Sequence, residues 1–295
     1  MAFRRQRLFE IMDIVRFKGG LGNQMFQYAL VESLRHRGRE VGCNLGFYRK
    51  HPNLMPFVLD KVFENVFLNE VCDEEYNEIE LEWEKIKKSD KVEFFKRDLR
   101  NRFFYVEEEA CKFDRNIFKT NNCTFVGYWQ TYKYFEDIRE NLLNRYKFHV
   151  DNELEKLGNM LSKEYVSIHV RRKDYLSFDR YQTCSDTYYK NAIKKIKEIF
   201  PGAKFIFFSD DIEWVREAFQ ISDRILCSPN DFNVYRDWYD MYLMTRCVGN
   251  IIANSSFSWW GAYLNQNDNH IVIAPKKWFD GADTPDIWCD NWIKV

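Results

Sequence analysis

The segment His169-Val170-Arg171-Arg172-Lys173-Asp174 overlaps the end of an apolar run, Tyr165 to Val170, and sets two arginines side by side. Neighbouring side chains diverge, so one guanidinium can clamp a diphosphate through paired charged hydrogen bonds while the other orients the loop through a carboxylate such as Asp174. A surface ion-pair cluster would use the same residues, at ~0 to 1 kcal/mol per pair. His169 reads as a core histidine that scaffolds the arginines. Phe205-Ile206-Phe207-Phe208 likewise runs into Ser209, Asp210 and Asp211. These three are candidates for nucleotide contacts, and the aspartates equally for capping a helix that begins at Ile212. Adjacent aspartates point apart and no third ligand is evident, so no obligatory metal is expected. Ile251-Ile252-Ala253 leads into Asn254, Ser255, Ser256, Phe257 and Ser258. Hydroxyls and the N–H groups of a helix start make a phosphate cradle there, compatible with N-capping by Ser255 or Ser256 and burial of Trp259 and Trp260. Near the other end, Gly19-Gly20-Leu21-Gly22-Asn23-Gln24 holds three glycines within four positions. Glycine admits close backbone approach of a ligand, although a tight turn with no ligand explains the pattern as well. It matches neither G-x-G-x-x-G nor the phosphate loop G-x-x-x-x-G-K-[ST].

Each of these segments needs a strand to deliver it and a helix to follow it. Asp13 to Lys18 reads as a strand, and Asn23 as the start of a helix with Phe26, Ala29, Leu30 and Leu34 on one face, ending near Gly38. Val41, Cys43 and Leu45 alternate as the next strand. In the second half, strands are expected at Tyr165 to Val170, Lys204 to Phe208, Arg224 to Cys227, Asn250 to Ala253 and His270 to Ala274. The clearest helix starts near Asp186, carries Tyr189, Ala192, Ile193, Ile196 and Phe200 on its apolar face, and stops at Pro201-Gly202. Alternating strands and helices build a parallel sheet through right-handed crossovers, with ligands at the strand carboxyl ends. Residues 48 to 125 give a weaker pattern, and the charged stretch from Asp73 to Arg102 reads as solvated helix and loop. The expected class is α/β, with a boundary near residues 150 to 164 separating domains 12–150 and 151–295.

Composition narrows the function classes. The 295 residues carry 44 Lys and Arg against 45 Asp and Glu, a net charge of −1, which argues against an electrostatic nucleic-acid binder. Any anion site must therefore be local. No segment approaches the ~20 uninterrupted apolar residues of a membrane span. The aromatic share of 18% suits either rich cores or a sugar-binding cleft. Eight cysteines stand singly with no C-x-x-C pair, as in a reduced, cytosolic protein. Residues 1–11 lack the apolar region of a secretion signal and read as a flexible, frayed extension, whose Arg4, Arg5 and Arg7 would attract an anionic membrane surface only weakly.

FKGGLGNQMFQYA at 17 to 29, GYWQTYKYF at 127 to 135, VSIHVRRKDY at 166 to 175, FFSDDIEW at 207 to 214 and NIIANSSFSWWGAYLN at 250 to 265 together resemble the α-1,2-fucosyltransferases of glycosyltransferase family 11. The resemblance implies a GT-B fold: two Rossmann-like domains facing across a cleft, acceptor mainly on the N-terminal one and GDP-β-L-fucose mainly on the C-terminal one. It implies inverting transfer of fucose to the 2-hydroxyl of a terminal β-galactoside, on an oligosaccharide or glycolipid, without metal or other cofactor. Arg171 and Arg172 fall on the arginine pair that binds the donor diphosphate, framed by His169 and Asp174, with Asp174 the expected base and Asp179 or His169 the alternatives. Ser255, Ser256 and Phe257 match a serine turn that contacts the nucleotide. Asp240 lies 16 residues before Ser256, the spacing of a guanine-binding aspartate in related α-1,6 enzymes. Gly20, Gly22, Asn23 and Gln24 fall on a loop bordering the cleft, with an acceptor or fucose contact. Lys173 departs from the glycine that many members carry there. The implied location is cytoplasmic, at or near the inner membrane face.

Overall fold

A computed structural model describes residues 12–72, 77, 79–81, 83–85, 95–97, 103–181, 184–221, 224–227, 236–268 and 270–295. The extension at 1–11 and most of the charged stretch at 73–102 lie outside the described residues. The chain divides into two compact units, Met1–Lys147 and Phe148–Val295. The division precedes residue 150 because Phe148 stacks 6.0 Å from Trp238 and Asp151 accepts from the Tyr239 hydroxyl at 3.2 Å, both second-unit residues.

In the first unit, β1 (Asp13–Arg16), β2 (Val41–Asn44), β3 (Phe95–Arg97), β4 (Phe103–Val106) and β5 (Cys123–Val126) form a sheet in the order β2-β1-β5-β4-β3. All pairings are parallel except that of β3 with β4. Helix α1 (Leu21–His36) begins two residues before the expected Asn23, with Gly20 at its N-cap, so Gly22 belongs to its first turn. Phe26, Ala29, Leu30 and Leu34 are fully buried, as their spacing requires. Strand order breaks between β1 and β5. The segments leaving the carboxyl ends of that pair are Phe17 to Gly20 and Gly127 to Gln130.

In the second unit, β6 (Tyr165–Val170), β7 (Lys204–Ser209), β8 (Arg224–Leu226), β9 (Gly249–Ile251), β10 (Ile271–Ala274) and β11 (Ile293–Lys294) are parallel throughout, in the order β11-β10-β9-β6-β7-β8. Counted from β6 and read from β8, this is the doubly wound order 3-2-1-4-5-6, whose ligand crevice opens at the carboxyl ends of the strands that meet where the order reverses. Those strands are β6 and β9. Their register is tied by Asn250, which donates to the Ser167 hydroxyl at 2.7 Å and to the Met244 carbonyl at 2.8 Å. Helix α2 (Asp186–Ile199) starts at Ser185, whose hydroxyl accepts from the Tyr188 N–H at 3.3 Å, and buries Tyr188, Tyr189, Ala192, Ile193 and Ile196. That face packs on Phe205, Phe207 and Val215. Its two tyrosines also hold the strand ends: Tyr188 donates to the Ile252 carbonyl at 2.6 Å and Tyr189 to the His169 carbonyl at 3.2 Å.

Candidate active site

At the carboxyl end of β6 the two arginines meet a bracket of carboxylates from the end of β7. Arg171 pairs with Asp174 at 2.8 Å and with Asp210 at 3.3 Å. Burial opposes its charge, but these two carboxylates outweigh that and hold its pKa above the ordinary guanidinium value. Arg172 donates from Nε to Asp211 at 3.2 Å and from its backbone N–H to Asp210 at 2.9 Å. Its guanidinium lies 3.8 Å from the centre of the Trp214 ring, a cation–π contact on helix α3 (Ile212–Ala218). Asp211 also accepts from the Trp214 N–H at 3.4 Å to cap that helix, and its own N–H donates to the Ser209 hydroxyl at 2.9 Å. The contacts of Ser209, Asp210 and Asp211 are therefore with the arginine loop and the α3 cap. Within the chain these three position the arginine loop, and all three remain half-exposed. The arginines keep 35% and 24% of their side-chain surface, enough for a diphosphate to reach.

His169 is buried, with its ring 5.7 Å from Phe257 and its Nδ1 lacking a hydrogen-bond partner. Burial, reinforced by the Arg171 charge, pulls its pKa down from 6.5 to about 3. At neutral pH the imidazole is therefore neutral, and it lies buried beneath the arginines. Asp174, by contrast, is exposed.

The serine turn meets this loop within the second unit. Tyr175 donates to the Asn254 carbonyl at 3.2 Å and hydrogen-bonds the Ser255 side chain. Asn254 is itself buried: its amide donates to the Tyr181 carbonyl at 3.0 Å and the Trp278 carbonyl at 2.8 Å and accepts from the Cys184 thiol at 3.4 Å. Ser258 is fully buried against the Ala253 and Ser255 carbonyls. Both are corrected from ligand contacts to supports of the turn. Ser255 stands at the N-cap of α5, here the helix Ser256–Tyr263 preceded by α4 (Trp238–Arg246), but its side chain makes no capping bond. Ser256 and Phe257 remain as the half-exposed part of the turn. Trp259 and Trp260 are buried, and Trp259 donates to the Ile287 carbonyl at 2.6 Å. Asp240 lies in the first turn of α4 with the Cys227 thiol 3.8 Å away, just past β8. At about 4.8 Å per strand, that end of the sheet is roughly 10 Å from β6, within the span of a nucleotide.

In the first unit, Gly19 has φ +92°, and a Cβ there would lie 2.5 Å from the Asn23 amide nitrogen. Gln24 is fully buried; it donates to the Gly19 carbonyl at 3.1 Å and the Pro56 carbonyl at 3.0 Å and accepts from the Val58 N–H at 3.1 Å. Its expected substrate contact is corrected to holding the loop, and Gly22 is buried in the helix. Gly20 and Asn23 are the half-exposed positions, with Asn23 accepting from the Gln130 amide at 2.7 Å. Sequence reasoning missed Trp214 under Arg172 and the stack of Tyr175 on Tyr181 at 5.0 Å. The signal for Trp214 was its place three residues after a capping aspartate.

Among the described residues no group of three or more His, Cys, Asp or Glu side chains is arranged to hold a metal ion, and no helix is long and apolar enough to cross a membrane.

The sequence model described as Glycosyl transferase family 11 matches residues 4–295. An alpha-1,2-colitosyltransferase of Escherichia coli is 33% identical over 96% of this chain and 98% of its own length. A galactoside alpha-(1,2)-fucosyltransferase 1 of Leontopithecus chrysomelas is 26% identical over 48% of this chain and 43% of its own. Among solved structures, a GDP complex of a variant of Arabidopsis thaliana FUT1 superposes with a TM-score of 0.51 at 11% identity, covering 94% of this chain and 76% of that one. That likeness concerns the fold, which is α/β of GT-B type with two Rossmann-like units.

Proposed function

The chain belongs to glycosyl transferase family 11, and from that premise we propose that it transfers L-fucose from GDP-β-L-fucose to the 2-hydroxyl of a terminal β-galactoside, inverting the anomeric centre to an α-1,2 linkage. The observation that carries the reading is the arginine pair held by Asp174, Asp210 and Asp211 at the carboxyl end of β6, where strand order reverses. As the bond from the sugar C1 to the diphosphate oxygen breaks, negative charge grows on GDP and an oxocarbenium-like sugar forms. Fixed guanidinium donors then bind the transition state better than the ground state. The N–H groups that open α5, near Ser256 and Phe257, add partial positive charge on the same side of the unit. The acceptor oxygen forms the new bond to C1, and its proton passes to Asp174 or to the departing phosphate. Asp240 would take the guanine. With arginines supplying the charge, the reaction needs no metal, and the acceptor is an oligosaccharide or glycolipid reached in the cytoplasm or at the inner membrane face.

The test is GDP release from GDP-fucose in excess EDTA, with and without lactose, followed by NMR of the product. Acceptor-dependent release with an α-1,2 linkage is expected. Strict dependence on added Mn²⁺, or a different linkage, would overturn the corresponding part of the proposal. The colitosyltransferase relative favours a second reading, a GDP-linked sugar lacking the 3-hydroxyl of fucose as the preferred donor. Comparing kcat/KM for GDP-fucose and GDP-colitose decides between them.

A further inference from the structure

The arginine loop leaves the carboxyl end of β6 and the serine turn leaves that of β9, two strands paired side by side where the order reverses. Strands so paired lie about 4.8 Å apart, so one diphosphate can touch both loops, provided the loops keep a fixed separation. At the strand ends helix α2 supplies that constraint, through Tyr188 on the Ile252 carbonyl and Tyr189 on the His169 carbonyl. The ladder between the strands ends at Ile168 and Ile251, and beyond it side chains must set the spacing.

Tyr175 spans that gap. Its ring centre lies 5.7 Å from the Arg171 guanidinium and 5.0 Å from the ring of Tyr181, on which it stacks. Its hydroxyl donates to the Asn254 carbonyl at 3.2 Å and is hydrogen-bonded to the Ser255 side chain. Burial raises the phenol pKa well above its ordinary value, so the hydroxyl keeps its proton and remains a donor. The chain then returns to the same turn. The Asn254 amide donates to the Tyr181 carbonyl at 3.0 Å, and the Cys184 thiol donates to the Asn254 side-chain oxygen at 3.4 Å. Phe279, from the segment after β10, meets the edge of Tyr181 at 5.5 Å and backs the stack.

The first unit carries a similar device at its own reversal, between β1 and β5. There the Gln130 amide donates to Asn23 at 2.7 Å, from a turn held by Glu107, which accepts from the Tyr128 N–H at 2.7 Å and the Trp129 N–H at 3.1 Å. In each unit a side chain links the two loops that leave the reversal. What distinguishes Tyr175 is the pair of groups it aligns, Arg171 on one side and Ser255 on the other. Asp174 and Asp210 orient the guanidinium, whereas Tyr175 fixes what stands opposite it. We infer that Tyr175 is a positioning residue for the transfer, its ring bracing Arg171 and its hydroxyl holding the serine turn at the distance that lets one diphosphate reach both loops.

This role rests on the reading of the crevice as a diphosphate site, and GDP affinity tests it without donor sugar, acceptor or turnover. GDP carries in full the charge that grows on the leaving group, and calorimetric titration of the full chain gives its Kd. Tyr175→Phe removes the hydroxyl and keeps the ring on Tyr181 and beside Arg171, so its folding is not at issue. Its Kd for GDP is expected to rise about tenfold, the equivalent of one hydrogen bond. A hydroxyl that only supported the fold would lower the melting temperature and leave the Kd of the folded protein unchanged. Because the hydroxyl aligns the turn against Arg171, it should matter little once that guanidinium is gone. Tyr175→Phe placed on Arg171→Ala is therefore expected to change the Kd by less than about twofold. An unchanged Kd in Tyr175→Phe, or an equal loss in the Arg171→Ala background, overturns the positioning role and leaves the donor reading standing. A wild-type chain that binds no GDP overturns the diphosphate site itself, and the positioning role with it.

Discussion

Arg171→Ala and Arg172→Ala are each expected to lower kcat by about 10²- to 10³-fold, the usual cost of deleting one preorganised donor to developing negative charge. The loss should fall on kcat more than on KM for GDP-fucose, because the charge on the leaving diphosphate grows only as the glycosidic bond breaks. Folding should survive. The pairs that hold the arginines are partly exposed, and such pairs contribute ~0 to 1 kcal/mol each. Arg172→Lys separates charge from geometry: the ammonium keeps the charge but loses the planar fork and its stack 3.8 Å from Trp214. A kcat between those of wild type and Arg172→Ala is expected. Turnover near wild type in either alanine variant, with circular dichroism unchanged, would move the diphosphate elsewhere. Asp211→Asn should then show a smaller fall, since it keeps both guanidinium groups and weakens only the Arg172–Asp211 pair.

The centre of the second unit was legible because β6 and β7 are buried along most of their length and read as largely apolar runs between clear helices. Tyr165 to Val170 and the helix starting at Asp186 were located within a residue or so of their observed ends. The first unit was legible only to β2. Strands β3, β4 and β5 have three or four residues each, like β1 and β2, but no glycine turn or amphipathic helix beside them marks where they begin and end. At the site, sequence indicated which loops converge but not which side chains in them are saturated. Gln24, Asn254 and Ser258 are polar residues in functional-looking turns, and nothing local says that their partners are the Pro56, Trp278 and Ala253 carbonyls. The same blindness hid Glu107. In sequence it begins the run Glu107-Glu108-Glu109 within the weakly patterned residues 48 to 125, and only the fold brings Tyr128 and Trp129 to it from 21 and 22 residues away.

His169→Gln is expected to flatten the acid side of the stability curve. In the unfolded chain the imidazole takes a proton near pH 6.5, whereas in the folded chain it resists one until about pH 3. Between those values the unfolded state binds more protons, so stability falls as pH drops, by about 1.4 kcal/mol per unit. From pH 7.5 to 5.0 this one group removes roughly 2 kcal/mol from the wild-type protein, and glutamine removes nothing. Glu107 contributes the opposite slope. Its carboxyl is protonated up to about pH 7 in the fold and only to 4.5 when unfolded, so acidification through that window stabilises the native state. Because Glu107 is present in both proteins, it cancels in the difference. Urea unfolding at the two pH values, followed by a probe in the second unit, should therefore show the difference between wild type and His169→Gln shift by about 2 kcal/mol. Parallel pH dependences would mean that folded His169 takes a proton as readily as a free imidazole. A proton there, beside Arg171, would make His169 a candidate acid or base again and would take positive charge on the arginine loop out of the exclusive control of Asp174 and Asp210.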